Sequence, residues 1–130
     1  MSEKEPLLFD TDVLIDYLRG EKAAVQLLED RLEPLLISAI TVAELFAGVR
    51  EGKERASLDR FLLAFQVVPL DVDIAHQGGL YRRDYGKSHG CGLADALIGA
   101  TAMQRNARLV SLNRRHFPML SDVWVPYRKG

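Results

Sequence analysis

Four polar residues stand just past apolar segments of this 130-residue chain. They are Asp10 after Leu7-Leu8-Phe9, Glu44 after Leu35-Leu36-Ile37-Ser38-Ala39-Ile40, Asp95 at the start of an Ala-rich stretch, and Asn113 after Leu109-Val110-Ser111-Leu112. If the apolar runs are parallel strands, their carboxyl ends converge on one edge of a sheet. Acidic groups gathered there repel one another unless a cation lies between them. Hard oxygen donors favour Mg²⁺ or Mn²⁺. A divalent ion held by carboxylates is suited to activating water and to steadying charge on a phosphate.

Each of these residues also has a local explanation. Asp10, in Phe9-Asp10-Thr11-Asp12-Val13, is a favoured type for a helix N-cap, but a cap does not account for the second carboxylate, Asp12, two positions on. Thr41-Val42-Ala43-Glu44 matches a capping box, a role compatible with a first-turn Glu that points to a strand's carboxyl end. Asp95 in a first helical turn is favoured by the helix dipole. Its neighbours Ala94, Ala96, Leu97, Ile98 and Gly99 are small or apolar, so a carboxylate on that surface needs a partner. Asn113 is a common turn residue, and it would also suit a metal-bound water or a phosphate. Ser111 and Thr11 add hydroxyls nearby. Arg114 and Arg115 are placed to contact phosphates or simply to be solvated.

The elements that must position these groups follow from apolar periodicity. Strands are expected over residues 7–9, 35–39, 66–70, 109–112 and 122–125. Helices are expected over residues 13–18, 21–32, 41–49, 54–65, 73–87 and 93–106. Gly78-Gly79 weakens the fifth helix, and a polar, Gly-rich loop is expected over residues 86–92. Strands alternating with helices imply right-handed crossovers and a parallel sheet covered on both faces. With no linker, repeat or low-complexity stretch, residues 1–130 are expected to form one domain.

Composition narrows the function class. Apolar residues make up 48% and charged residues 27%, ordinary for a globular protein. No apolar run approaches the roughly 20 residues of a membrane span. The first six residues, Met1-Ser2-Glu3-Lys4-Glu5-Pro6, lack the pattern of a signal peptide. Cys91 is the lone cysteine, so a reducing compartment, the cytoplasm, is expected. The net charge of −1 hides an asymmetry: residues 1–65 carry 8 basic and 13 acidic side chains, residues 66–130 carry 9 and 5. A basic half beside an acidic pocket is compatible with nucleic acid. His76, His89 and His116 show no paired metal spacing, and Cys91 has no CxxC partner, so zinc is not expected.

The order of four motifs carries a resemblance. Leu-Phe-Asp10-Thr11-Asp12-Val-Leu-Ile-Asp16 comes first, then Ser-Ala-Ile-Thr-Val-Ala-Glu44-Leu, then Leu-Ala-Asp95-Ala-Leu-Ile-Gly-Ala-Thr-Ala, then Leu-Val-Ser111-Leu-Asn113-Arg-Arg-His-Phe117. Over nearly its whole length the chain resembles the PIN domain, and within it the VapC-type toxin ribonucleases of toxin–antitoxin pairs. The resemblance implies a three-layer α/β/α sandwich with a central five-stranded parallel sheet. It places Asp10, Glu44 and Asp95 as the acidic cluster that holds Mg²⁺ or Mn²⁺, with Thr11 as the hydroxyl residue after the first Asp. Asp12 departs from the Asn or Ser frequent there, and Ser111 and Asn113 stand where Thr and a fourth acidic residue often occur. The implied activity is metal-dependent endoribonuclease, leaving 5′-phosphate and 3′-hydroxyl ends. The implied partners are an RNA substrate and a small antitoxin whose C-terminal segment lies across the acidic groove. Leu14, Leu18, Leu27, Phe46 and Phe61 are candidates for a homodimer or partner surface, with core packing as the alternative.

Two other readings compete. Asp10-Thr11-Asp12 after a strand also resembles the aspartyl nucleophile motif of haloacid-dehalogenase-type phosphatases, but Leu14 departs from that pattern, Lys87 lacks the context of the later Lys, and Asp95 has no acidic neighbour. A catalytically silent PIN-like module that binds RNA or protein is the non-enzymatic reading. The neutral Asn113 favours it, and the joint presence of Asp10, Glu44 and Asp95 opposes it.

Overall fold

A computed structural model describes residues 5–128. The first four residues, part of the stretch read above as lacking signal-peptide character, lie outside the described residues. The apolar runs form strands Leu7–Phe9 (β1), Leu35–Ser38 (β2), Gln66–Val68 (β3), Arg108–Val110 (β4) and Val123–Trp124 (β5). They pair in the order β3-β2-β1-β4-β5, every pair parallel. Leu7 stands opposite Leu35 on one side and Arg108 on the other, and Leu8 opposite Leu36 and Leu109.

Helices Thr11–Leu18 (α1), Lys22–Glu29 (α2), Ala39–Ala47 (α3), Lys53–Leu62 (α4), Val72–His89 (α5) and Leu93–Arg105 (α6) fill the connections. Side chains alternate across a strand, and the alternation sorts the core into two layers. Leu8, Leu36, Val68, Leu109 and Val123 face Ile74 of α5 and Leu97, Ile98 and Ala100 of α6. Leu7, Phe9, Ile37 and Val110 face Val13 and Leu14 of α1, Leu27 and Leu28 of α2, Leu45 of α3 and Leu58 of α4. Both faces are covered, as a parallel sheet requires, and the expected α/β/α sandwich is the observed one. No helix among the described residues is long and apolar enough to cross a membrane. At the open β5 edge two guanidinium groups lie over the Trp124 ring, Arg31 at 5.2 Å and Arg108 at 5.3 Å from its centroid.

Several expected boundaries move. α3 begins at Ala39, not at Thr41, because Ser38 is its N-cap and accepts a hydrogen bond from the Ile40 N–H at 3.0 Å. The Thr41–Glu44 capping box therefore does not form. α1 begins at Thr11 rather than Val13, capped by Asp10. α5 runs through Gly86 to His89 and ends where Gly90 takes a left-handed φ of 63°, so the loop expected over residues 86–92 shrinks to the three residues before α6. α6 is closed by Asn106 in the left-handed conformation (φ 50°), as Asn tolerates. β3 stops before Pro69, which has no N–H for the ladder. Leu14 and Leu27 belong to the core and offer nothing to a partner, whereas Leu18 is 43% exposed. Phe61 stacks on Tyr17, with ring centroids 5.0 Å apart, and Phe46 packs partly buried beside the same cluster.

The Gly78-Gly79 pair divides into two roles. A Cβ at Gly78 would lie 2.5 Å from Leu97 Cδ2 and 3.2 Å from the Leu97 Cα, so the missing side chain lets α5 and α6 approach. At Gly79 an added Cβ would meet nothing within 4 Å. Gly78→Ala should destabilise by about 1–3 kcal/mol through overpacking. Gly79→Ala should stabilise by about 0.5–1 kcal/mol through helix propensity. Urea unfolding of the two single variants checks the opposite signs.

Candidate active site

In an open parallel sheet, ligands bind beyond the carboxyl ends of the strands where the order of connection reverses. Here that point lies between β1, which continues to β2, and β4, which continues to β5. Asp10 follows β1 directly and Ser111 follows β4 directly. The ladder runs into the site: the Asp10 N–H donates to the Val110 carbonyl at 2.9 Å, and the Ser111 N–H to that of Trp124 at 3.0 Å.

Asp10 is 5% exposed. Its Oδ1 accepts from the Thr11 N–H at 2.8 Å, the capping bond of α1, and its Oδ2 accepts from the Ser111 hydroxyl at 2.7 Å. That hydroxyl in turn accepts from the Asn113 N–H at 3.0 Å. Asp12 makes a parallel link: Oδ1 takes the Val13 N–H at 2.7 Å, and Oδ2 takes the Leu112 N–H at 3.1 Å and the Asn113 Nδ2 at 3.3 Å. Two adjoining carboxylates thus fasten the end of β1 to the turn after β4. The electrostatic consequence is large. Burial, then the charge of Asp12, push the Asp10 carboxyl up to about 7, with Asp95 adding; the bonds from Ser111 and Thr11 only partly offset this. Burial also raises Asp12, against the bonds from Leu112 and Val13 and with the charges of Asp16 and Asp95.

Glu44 arrives from α3. Thr11 Oγ1 lies 2.6 Å from Glu44 Oε1 and 3.0 Å from Thr41 Oγ1. A hydroxyl carries one proton, and the carboxylate can only accept it. Thr11 therefore donates to Glu44, and Thr41, fully buried, donates to Thr11. The Thr residue that would have capped α3 instead holds the hydroxyl that orients Glu44.

Asp95 arrives from α6, where it occupies the third helical position and reaches back to the Gly92 N–H at 3.3 Å. Its Oδ2 also lies 3.4 Å from His116 Nδ1. His116 sits in a short 3₁₀ turn, Arg114–His116, and sequence spacing gave no sign of this pairing. Cys91 is fully buried, and burial and the Asp95 charge push its thiol up, against a nucleophilic role. Asn113 and Arg115 are exposed. Arg114 is partly engaged, its Nη2 donating to the Val123 carbonyl at 3.0 Å. Asp16 was expected only as part of a motif; it is 3% exposed and accepts from the Tyr127 hydroxyl at 2.8 Å.

The arrangement brings Asp10, Asp12 and Asp95 within electrostatic reach of one another, and Thr11 ties Glu44 to the same corner. The donors are all oxygen, and burial with the neighbouring carboxylates pushes Asp10 toward its neutral form, which a bound cation would reverse. That chemistry fits a hard divalent cation. As the side chains stand, no three His, Cys, Asp or Glu among the described residues form a closed metal-binding group. An ion here would complete its shell with water or substrate oxygens, the habit of Mg²⁺.

The sequence profile of the PIN domain family matches residues 7–121. The chain is 43% identical over 124 residues to ribonuclease VapC19 of Mycobacterium tuberculosis, spanning 92% of this chain and 98% of that protein. The chain belongs to the PIN-domain family. Its fold superposes on a toxin–antitoxin complex from Klebsiella pneumoniae with a TM-score of 0.82 at 30% identity, covering 95% of this chain and 99% of the other. FitAcB from Neisseria gonorrhoeae gives 0.74 at 30% identity, covering 92% and 97%. As a PIN domain the chain is not a haloacid-dehalogenase-type phosphatase, and that alternative falls.

Ionised Asp10 should cost this PIN domain stability when no metal is present. Its folded value, about 7, lies above the ordinary 3.8, so folding favours the neutral form. The contribution is fully present below about pH 4 and is lost as pH rises through 7. Asp10→Asn removes the titration. In EDTA its stability advantage over the parent should widen between pH 5 and pH 8, by at most about 3 kcal/mol at about 1.4 kcal/mol per unit. Denaturant unfolding at the two pH values reads it, and an advantage independent of pH would contradict the burial argument.

Proposed function

We propose that this protein is an endoribonuclease toxin of a toxin–antitoxin pair, with Asp10, Glu44 and Asp95 holding Mg²⁺ or Mn²⁺. The observation that carries the reading is the convergence of acidic side chains from α1, α3 and α6 on the switch point of a PIN-domain sheet, with Asp10 left electrostatically uncompensated. Kinship with a protein named a ribonuclease supports the activity. Structural likeness to a toxin–antitoxin complex supports an antitoxin partner. Residues 1–130 act as one nuclease domain in the cytoplasm, and a homodimer is the assembly we favour.

A divalent ion bound there would activate water and neutralise charge on the phosphate during in-line attack. The chain's own residues supply the rest. Ser111 and the Thr11 N–H hold Asp10 in one rotamer, and Thr11, backed by Thr41, holds Glu44. Asn113, fixed through Asp12, presents its amide beside the acidic corner. Arg115 and the exposed part of Arg114 contact the RNA backbone, which makes binding salt-dependent. An antitoxin segment bearing Arg would oppose these carboxylates by charge complementarity.

Purified protein, freed of any co-purifying partner, should cut total RNA into discrete fragments with Mg²⁺ or Mn²⁺ and not with EDTA. Asp95→Asn should reduce the rate by about a hundredfold or more, the scale of losing one electrostatic group from a preorganised site. Full activity of that variant would refute the assignment. Mn²⁺ should also raise the thermal midpoint of the parent at pH 8 and leave Asp10→Asn nearly unmoved. A parent that takes up no Mn²⁺ and cuts nothing would mark a silent binding module instead.

A further inference from the structure

One feature of the site's surroundings is unused by this chemistry. A groove of about 440 Å³, lined by Asp12, Leu112, Asn113, Val125, Tyr127 and Arg128, opens directly beside the acidic corner. Its volume falls in the range of small-ligand sites, about 300–1,000 Å³. It shares Asp12 and Asn113 with the candidate centre, so whatever binds there lies next to the reacting phosphate. Resting on the nuclease reading above, we propose that this groove seats one nucleobase of the single-stranded RNA substrate, against the ring of Tyr127.

Three observations favour a base over other parts of the substrate. First, Tyr127 is held at its tip. Its hydroxyl donates to the buried Asp16 at 2.8 Å, and the ring packs against the apolar cluster on one side of the sheet while also lining the groove. A ring fixed in this way stacks at little entropic cost, and every base offers it a π-face. Second, Leu112 and Val125 supply apolar walls, which suit a flat heterocycle and not a hydrated phosphate. Third, charge sorts the rim. Asp12, which the groove shares with the acidic corner, disfavours an anion beside it, whereas a neutral base is not repelled. Arg128 lines the same groove and provides a cation for the phosphate that follows. Tyr127 is then a substrate-binding residue that touches RNA without entering the chemistry.

The test separates the ring from its hydroxyl. Binding is measured with Asp95→Asn protein in Mg²⁺, so that cleavage is slowed about a hundredfold or more and the groove is read whether or not the parent proves to be a nuclease. The probes are tetranucleotides of a single base, rA₄, rC₄, rG₄ and rU₄, against an abasic ribose-phosphate chain of the same length. At least one base-bearing probe should bind about tenfold tighter than the abasic chain, the scale of one stacked base. Tyr127→Phe loses the bond to Asp16 and keeps the ring, and it should preserve that ratio. Tyr127→Leu loses both, and it should bring the ratio close to one. The proposal is overturned if the abasic chain binds as well as every tetranucleotide, if Tyr127→Leu keeps the full ratio, or if Tyr127→Phe loses it as completely as Tyr127→Leu. That last result would assign the effect to the Asp16 link. Failure of RNA cleavage by the parent, with the binding ratios as expected, would fault the nuclease reading and leave the groove standing.

Discussion

A carboxylate with almost no access to water is the constraint on which the rest of the site depends. Asp10 is at once the cap of α1, the terminus of the central strand and the acceptor for Ser111. A buried charge must be hydrogen-bonded or paired, and its donors come from opposite ends of the sequence. The hydroxyl that satisfies Asp10 lies 101 positions away, and the N–H that satisfies Asp12 lies 100 positions away. These long-range bonds join the turns after β1 and β4, which makes the switch point a fixed corner. The two donors still do not settle Asp10, because burial and the charges of Asp12 and Asp95 outweigh them. Without a counter-charge the fold thus favours the neutral form of Asp10, a perturbation of the kind that clusters at functional sites.

The same economy governs the other side chains at the corner. Glu44 is oriented by Thr11 of α1, and Asp95 by the N–H of Gly92, the cap of its own helix, and by His116 beyond β4. Thr11 spends its single proton on Glu44 and draws one from Thr41, so α1 and α3 are locked by a chain of hydroxyls inside the core. Such a chain is rigid because every member is satisfied.

Much of this was legible in the sequence. Continuous apolar runs such as Leu35-Leu36-Ile37 identified strands buried on both faces, and the alternation of strands with helices fixed a parallel sheet. The acidic residues past those runs come together at one corner of the sheet, the candidate site. What was not legible had physical causes. Thr41-Val42-Ala43-Glu44 carries the local signature of a helix start, but Ser38 takes the cap three residues earlier, and a burial of Thr41 that only the tertiary structure creates gives its hydroxyl another use. The polar, Gly-rich stretch from Gly86 looked like a loop, yet α5 runs on until Gly90, whose left-handed backbone ends it. The His116–Asp95 and Tyr127–Asp16 pairs join distant segments with no periodic signal, so no local pattern could have announced them.

The strand order also has a consequence for how the protein comes into being. The central strand is made within the first ten residues, but its neighbour β4 and the hydroxyl of Ser111 are not synthesised until residues 108–111. Until then the carboxylate of Asp10 has no Ser111, Asp12 has no Leu112 amide, and β1 has hydrogen-bonding partners on one side only. Contacts this remote in sequence form late in folding. A nascent chain still on its ribosome, surrounded by RNA, therefore carries the acids of the site without the framework that aligns them. The topology itself leaves this corner unassembled until the polypeptide has been made past its fourth strand.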